Sequence, residues 1–150
     1  MLIHHSQQAQ ARRKASGWQQ AVQIALQPLE ALDYITSSYC QGVIENTLQW
    51  GPYYVIAPGV AMPHARPEQG ARANSIAITT FETPVSFGHE DCDPVWLVIA
   101  LSATDANAHL ETIQRITTLL EDSALLACLQ QATTDNELFQ LISNPTLQEH

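Results

Sequence analysis

The stretch Val95-Trp96-Leu97-Val98-Ile99-Ala100-Leu101 is apolar at every position. It is too short for a typical helix and rich in aliphatic residues, so it reads as a strand. A strand that is apolar on both faces must be covered on both faces. The chain therefore needs a layer of structure on each side of a sheet. Helical patterns lie both before and after this run, which gives a three-layer α/β/α sandwich with a mixed sheet, in the α/β class.

The flanking patterns fill in the layers. Trp18, Ala21, Val22, Ala25, Leu26, Leu29 and Leu32 recur at helical spacing after a Ser16 or Gly17 cap, with Pro28 expected to end or kink the helix. A second helix is expected after Thr36-Ser37-Ser38, stopped by Trp50-Gly51-Pro52. Strands are expected at Tyr53–Ala57 and Asn74–Phe81, and a loop at Pro84–Pro94. Beyond Leu101, Asp105 or Asn107 caps a helix carrying Leu110, Ile113, Ile116, Leu119 and Leu120. Two shorter helices follow, Ser123–Gln130 and Asp135–Ile142. Residues 1–15 read as a loose lead-in, with Gln8–Lys14 as an alternative edge strand.

A length of 150 residues suits one domain spanning 1–150. The formal charge of −9, with only 6 Lys and Arg, argues against nucleic acid or an anionic membrane as partner. No apolar run approaches the ~20 residues that cross a bilayer, and the N-terminus lacks a secretory apolar segment, so a cytoplasmic location is expected. Cys40, Cys92 and Cys128 form no C-x-x-C pair and read as small buried or half-buried thiols. No phosphate-binding glycine-rich loop with its lysine is present, so no nucleotide cofactor is expected.

The chemistry concentrates on histidines. His64 lies in Ala61-Met62-Pro63-His64-Ala65-Arg66-Pro67, bracketed by prolines that hold it on a shaped, non-helical loop, with Arg66 two residues on. His109 follows the apolar strand and opens the next helix. Ligands of open α/β sheets gather beyond strand ends, and helix N-termini attract phosphate, so His64 and His109 are expected to converge on one crevice. One neutral imidazole can attack phosphorus while the other stabilises the phosphoryl oxygens. The competing reading is a metal centre of His64, His89, His109 and Asp91 or Asp93, although no diagnostic ligand spacing supports it. His4, His5 and His150 read as solvated.

Gly51 to Gly70, with Ala61-Met62-Pro63-His64-Ala65 at its heart, resembles the active-site region of the mannitol/fructose-type (type 2) IIA components of the bacterial sugar phosphotransferase system. Gly88-His89-Glu90-Asp91-Cys92-Asp93-Pro94-Val95 and Asp105–His109 are most similar to its L-ascorbate (Sga/Ula-type) branch. The resemblance covers about residues 16–143. It implies that His64 accepts a phosphoryl group from the phosphocarrier protein HPr and passes it to a cysteine of a IIB component. His109 would stabilise that group, with no metal or cofactor. It also implies transport of L-ascorbate or a related sugar acid or polyol. A regulatory module of the same fold, reporting its phosphorylation state to a partner, is the alternative, and a metal-dependent hydrolase a third. Mannitol-type members commonly carry an arginine in the helix before the active-site strand, and residues 39–50 contain none. Arg66 or His89 is expected to supply part of that missing positive charge, and Arg66, His89 and Asn107 are the candidate phosphate-binding residues. An apolar collar of Val60, Met62 and Ala65 is expected around His64, and a homodimer is compatible with the apolar helices.

Overall fold

In the computed structural model, which describes Ile3 and residues 5–143, five strands form one mixed sheet. They are β1 (Ala9–Arg13), β2 (Val55–Ala57), β3 (Val60–Ala61), β4 (Ser75–Val85) and β5 (Val95–Ser102), in the order β1-β4-β5-β3-β2. β1 runs parallel to β4, and β3 parallel to β5, while β4 with β5 and β2 with β3 are antiparallel. The helices α1 (Trp18–Ala31) and α2 (Ser37–Trp50) cover one face. The other face carries α3 (Ala106–Leu120), α4 (Ser123–Gln131) and α5 (Asp135–Ile142). The three-layer α/β/α sandwich is the observed fold.

The all-apolar run is β5, and its pleat explains its composition. Val95, Val98 and Ala100 enter the core beneath α1 and α2, while Leu97, Ile99 and Leu101 enter the core beneath α3–α5. All six are fully buried. Burying aliphatic side chains of this size stabilises by roughly 1.5–3 kcal/mol each, so a polar residue at any of these six positions would weaken one of the two cores.

The N-terminal lead-in is not loose where it is described. Residues 9–13 are the edge strand β1, with Ala9, Gln10 and Ala11 buried. The outer edge is tied to α5: the Ala11 N–H donates to Asp135 Oδ1 at 2.7 Å, and the Arg13 guanidinium makes two bonds of 2.8 Å to the same carboxylate. His5 is exposed, and His4 and His150 lie outside the described residues.

Pro28 does not end α1, which runs on to Ala31. A mid-helix proline removes the hydrogen bond to the carbonyl four residues back. Here that carbonyl belongs to Ile24, and the buried Gln10 side chain of β1 donates to it at 2.9 Å. A contact distant in sequence thus supplies what the helix lacks.

The strands also differ from their sequence outlines. Tyr53 and Tyr54 precede β2, and Pro58-Gly59 turns the chain back into β3, a strand of 2 residues too short to show a period. Proline then glycine at the centre of a tight turn suits a second residue with positive φ, and Gly59 has φ of 77°. β4 continues beyond Phe81 to Val85, through Pro84. Its last paired residue on the β1 side is Phe81, so Pro84 removes no donor that β1 needs. Cys40 and Cys92 are half-buried and Cys128 is exposed; all three are free.

Candidate active site

Parallel pairing of β3 with β5 puts their C-terminal ends side by side. His64 lies just beyond Ala61 of β3, and His109 lies in the first turns of the helix after β5. The topology therefore brings the two together, with ring centroids 4.9 Å apart and planes inclined at 55°. They open onto a crevice of about 730 Å3 lined by Asn46, Trp50, Tyr53, Arg66, Asp105 and Ala106 among others.

The His64 loop is fixed by hydrogen bonds on every side. Met62 N–H donates to the Tyr54 carbonyl at 2.8 Å, and Leu101 N–H to the Pro63 carbonyl at 3.2 Å. The Tyr53 hydroxyl donates to the His64 carbonyl. Ala65 N–H donates to the Tyr39 hydroxyl at 3.0 Å, and that hydroxyl donates onward to the Leu101 carbonyl at 2.9 Å. Burial pushes the Tyr39 hydroxyl up to about 12, so it stays protonated and can hold both bonds. Past Arg66, a single turn of 3-10 helix (Pro67–Gln69) leads to Gly70, whose φ is 135°. A Cβ there would stand 2.1 Å from Thr36 Oγ1, so only glycine lets the loop reach the start of α2.

This frame selects one nitrogen of His64. Nδ1 lies 2.8 Å from the Met62 carbonyl oxygen. A carbonyl can only accept, so Nδ1 carries the proton and Nε2 of the neutral ring keeps its lone pair. Burial lowers the pKa of His64 below the ordinary imidazole value; the Met62 bond opposes this and the neighbouring His109 adds to it. The ring is thus neutral at neutral pH. Tyr53 packs edge-on against it, with centroids 5.4 Å apart.

His109 does not open α3; it is the fourth helical residue, and its N–H is bonded to the Asp105 carbonyl at 3.0 Å. Asp105 is the cap, its carboxylate accepting from Ala108 N–H at 2.8 Å. The N-terminal turn of α3 nonetheless faces the crevice through Asp105 and Ala106. Asn107 sits exposed on that turn and does not line the crevice. Arg66 does line it, and its guanidinium makes an exposed pairing with Glu68 at 3.5 Å.

His89 is elsewhere. It precedes β5, whereas His109 follows it, so the two emerge at opposite ends of a strand of 8 residues. The N–H groups of Phe87, Gly88 and His89 and the Ser86 hydroxyl all bond to Asp93, and His89 Nδ1 accepts from Cys92 N–H at 3.2 Å. His89 does not line the crevice onto which His64 and His109 open. The metal reading fails for the same reason, since His89, Asp91 and Asp93 lie at the wrong end of the sheet. No three His, Cys, Asp or Glu side chains among the described residues gather where they could hold a metal ion.

The expected apolar collar holds only in part. Val60, on the interior strand β3, and Met62, just beyond it, are buried in the core beneath α3–α5 and do not line the crevice, whereas Ala65 does line it. The apolar surface beside the histidines is instead Trp50, 70% exposed, Tyr53, 40% exposed, and Leu110, 55% exposed. Sequence reasoning also missed Asn46 and Gln69. The available signal was Gly42, Asn46 and Trp50 at i, i+4 and i+8, a stripe that interrupts an otherwise apolar helix pattern.

No described helix is long and apolar enough to cross a membrane. The profile of the family described as phosphoenolpyruvate-dependent sugar phosphotransferase system, EIIA 2, matches residues 3–145. SgcA of Escherichia coli (strain K12), which carries the name of a phosphotransferase IIA component, is 55% identical over 142 residues, 95% of this chain and 99% of that protein. An ascorbate-specific PTS system EIIA component of Salmonella typhimurium is 42% identical over 130 residues, 86% of this chain and 84% of that protein. The solution structure of the mannitol-specific cryptic phosphotransferase enzyme IIA CmtB from Escherichia coli superposes with a TM-score of 0.84 at 38% identity, covering 94% of this chain and 95% of that one.

Proposed function

The chain belongs to the EIIA 2 family of the phosphoenolpyruvate-dependent sugar phosphotransferase system, and from that premise we propose that it carries a phosphoryl group on His64 Nε2 between two partner proteins. The observation that carries the reading is the Nδ1 contact with the Met62 carbonyl, beside a second imidazole 4.9 Å away.

The donor is a phosphohistidine on HPr. His64 Nε2 attacks its phosphorus in line, a new P–N bond forms, and the old P–N bond breaks with its electron pair returning to the donor imidazole. His64 keeps its Nδ1 proton on the Met62 carbonyl, which steadies the ring as it gains positive character. His109 and Arg66 face the same crevice and supply hydrogen bonds and charge to the phosphoryl oxygens. The N-terminal turn of α3, which faces the crevice through Ala106, adds its dipole to that field. A IIB cysteine thiolate then attacks the same phosphorus from the vacated side, and His64 leaves as the neutral imidazole.

Trp50 and Tyr53, both exposed and both lining the crevice, give each partner in turn an apolar surface beside the reacting atom. Such a site suits modest, transient interfaces, because one face must release the donor before it meets the acceptor. The kinship to ascorbate-specific relatives supports L-ascorbate, or a related sugar acid or polyol, as the transported substrate. The assay is incubation with phosphoenolpyruvate, Enzyme I and HPr, followed by mapping of the phosphosite. Label on His64 is expected, and His64→Ala is expected to take up none; label retained by that variant would refute the assignment.

A further inference from the structure

We propose that Tyr39 is a positioning residue for the phosphoryl transfer: its buried hydroxyl completes the hold that Leu101 of β5 has on the backbone at both sides of His64. The inference rests on the phosphocarrier reading and deepens it. Tyr39 stands on α2 and is fully buried in the core beneath α1 and α2. Its hydroxyl accepts from the Ala65 N–H at 3.0 Å. A phenol has one proton to give. It goes to the Leu101 carbonyl at 2.9 Å, with the Ala65 carbonyl a longer second acceptor at 3.3 Å.

Leu101 thereby grips the reactive loop twice. Its N–H donates to the Pro63 carbonyl at 3.2 Å, in the peptide unit before His64. Its carbonyl reaches the Ala65 N–H, in the peptide unit after His64, through the Tyr39 hydroxyl. Peptide units are planar, so only φ and ψ of His64 lie between the two. Pinning both units to one residue fixes those angles and the direction in which the side chain leaves the backbone. The bond from His64 Nδ1 to the Met62 carbonyl at 2.8 Å then completes the aim of Nε2. Leu101 also stands shortly before Asp105, the cap of the helix that carries His109. One residue of β5 thus anchors the approach to both imidazoles, whose centroids stand 4.9 Å apart.

Burial separates this role from direct catalysis. Tyr39 does not line the crevice and can touch neither partner protein. Burial also pushes its hydroxyl up to about 12, so at neutral pH it stays a protonated bridge. The Tyr53 hydroxyl holds the same peptide unit through the His64 carbonyl, but from the exposed side and without joining it to β5. Without the Tyr39 hydroxyl, a buried donor and a buried acceptor lose their partner, and the unit after His64 is free to turn. Displacement of the attacking atom by about 1 Å can cost ~100-fold in rate.

The test compares wild type, Tyr39→Phe and Val43→Ala in single-turnover uptake from phospho-HPr. Phenylalanine keeps the ring and removes only the hydroxyl. Val43 lies one turn further along α2 and is buried in the same core, so its variant loses stability and leaves the bridge intact. Tyr39→Phe is expected to lower the maximal rate of uptake by about tenfold, with the phospho-HPr concentration for half-maximal rate unchanged. Val43→Ala is expected to melt at a lower temperature and to keep the wild-type rate. The ring-nitrogen shifts of His64, read by NMR on the unphosphorylated protein, are expected to show more of the Nε2–H tautomer in Tyr39→Phe than in wild type. In wild type the Ala65 N–H is expected to exchange slowly with solvent, a measurement that stands even where Tyr39→Phe does not fold. An unchanged maximal rate in Tyr39→Phe, a change confined to half-saturation, an equal loss in Val43→Ala, an unaltered tautomer balance, or an Ala65 N–H that exchanges as fast as an open-loop amide would each overturn the inference while leaving the phosphocarrier reading intact. A wild-type protein that takes up no phosphate overturns that reading instead.

Discussion

Two loops at opposite ends of the sheet carry the same kinds of residue and do opposite things with them. The loop from Met62 to Pro67 holds a histidine, an arginine and two prolines; the loop from Ser86 to Pro94 holds a histidine, four polar or acidic side chains and a proline. In the second, Asp93 gathers the N–H groups of Phe87, Gly88 and His89 with the Ser86 hydroxyl, and His89 Nδ1 takes the Cys92 N–H. The anion that fills this cradle is the loop's own. In the first, the backbone is tied down just as thoroughly, yet His64 Nε2 faces an open crevice beside His109 and Arg66. Rigidity is common to both loops. The difference is that the first loop turns its histidine toward an open crevice, whereas the second closes on its own carboxylate.

The largest effect that would sharpen this contrast, short of removing His64, is at its imidazole neighbour. His109→Ala is expected to slow phosphate uptake by about 100-fold and to shorten the lifetime of the phosphohistidine. A rapid-quench time course indistinguishable from wild type would break the pairing of the two rings. The pH profile adds a second reading. Uptake requires neutral His64, whose pKa burial and His109 hold below 6.5. In wild type, uptake therefore persists through neutral pH and fails only in acid below the ordinary imidazole range. Removing His109 opens the site and takes away its charge, so the acid limb is expected to move to higher pH.

A smaller loss is expected at the cation. Arg66→Ala should reduce the transfer rate by about tenfold, since its guanidinium is exposed and shares its charge with Glu68. Raised salt should narrow the gap between variant and wild type, because exposed charges are screened. An unchanged rate at low salt would remove Arg66 from the site and leave the α3 N-terminus and His109 as its electrostatics.

The layers were legible in the chain because they depend on local pattern. Val95–Leu101 required two covering layers, and the stripes of α1 and α3 supplied them. His64 and His109 were legible as a pair because both follow strands, and strand ends converge in an open sheet. The misreadings share one physical cause. Pro28 was tolerated through Gln10, β1 was ordered through Asp135, and Asn46 gained its place through Gln69. Each is a hydrogen bond between residues that no local period connects. His89 was misassigned because residue type alone does not say at which end of a strand a loop emerges; only the order and direction of the strands do.

The smallest expected effect on chemistry comes from disrupting the other loop. Asp93→Asn keeps the side chain's size but removes the charge that four donors surround. Burial raises the Asp93 pKa, but the bonds from Phe87, Ser86, Gly88 and His89 outweigh it and hold the carboxyl below its ordinary value. A carboxyl whose folded pKa is depressed stabilises the fold above the unfolded pKa, near ~3.9, and that stabilisation is lost as pH falls through the folded value. At neutral pH the variant is therefore expected to unfold more readily, by about 1–2 kcal/mol after allowance for solvent around a half-exposed group. Below the folded pKa the two proteins should converge, which chemical denaturation at several pH values would show. Phosphate uptake by the folded variant should stay within about twofold of wild type, since the loop leaves the opposite end of β5 from His109 and does not line the crevice. A large loss of transfer with the fold intact would mean that the two ends of the sheet are coupled, and that the Asp93 loop is part of the site after all.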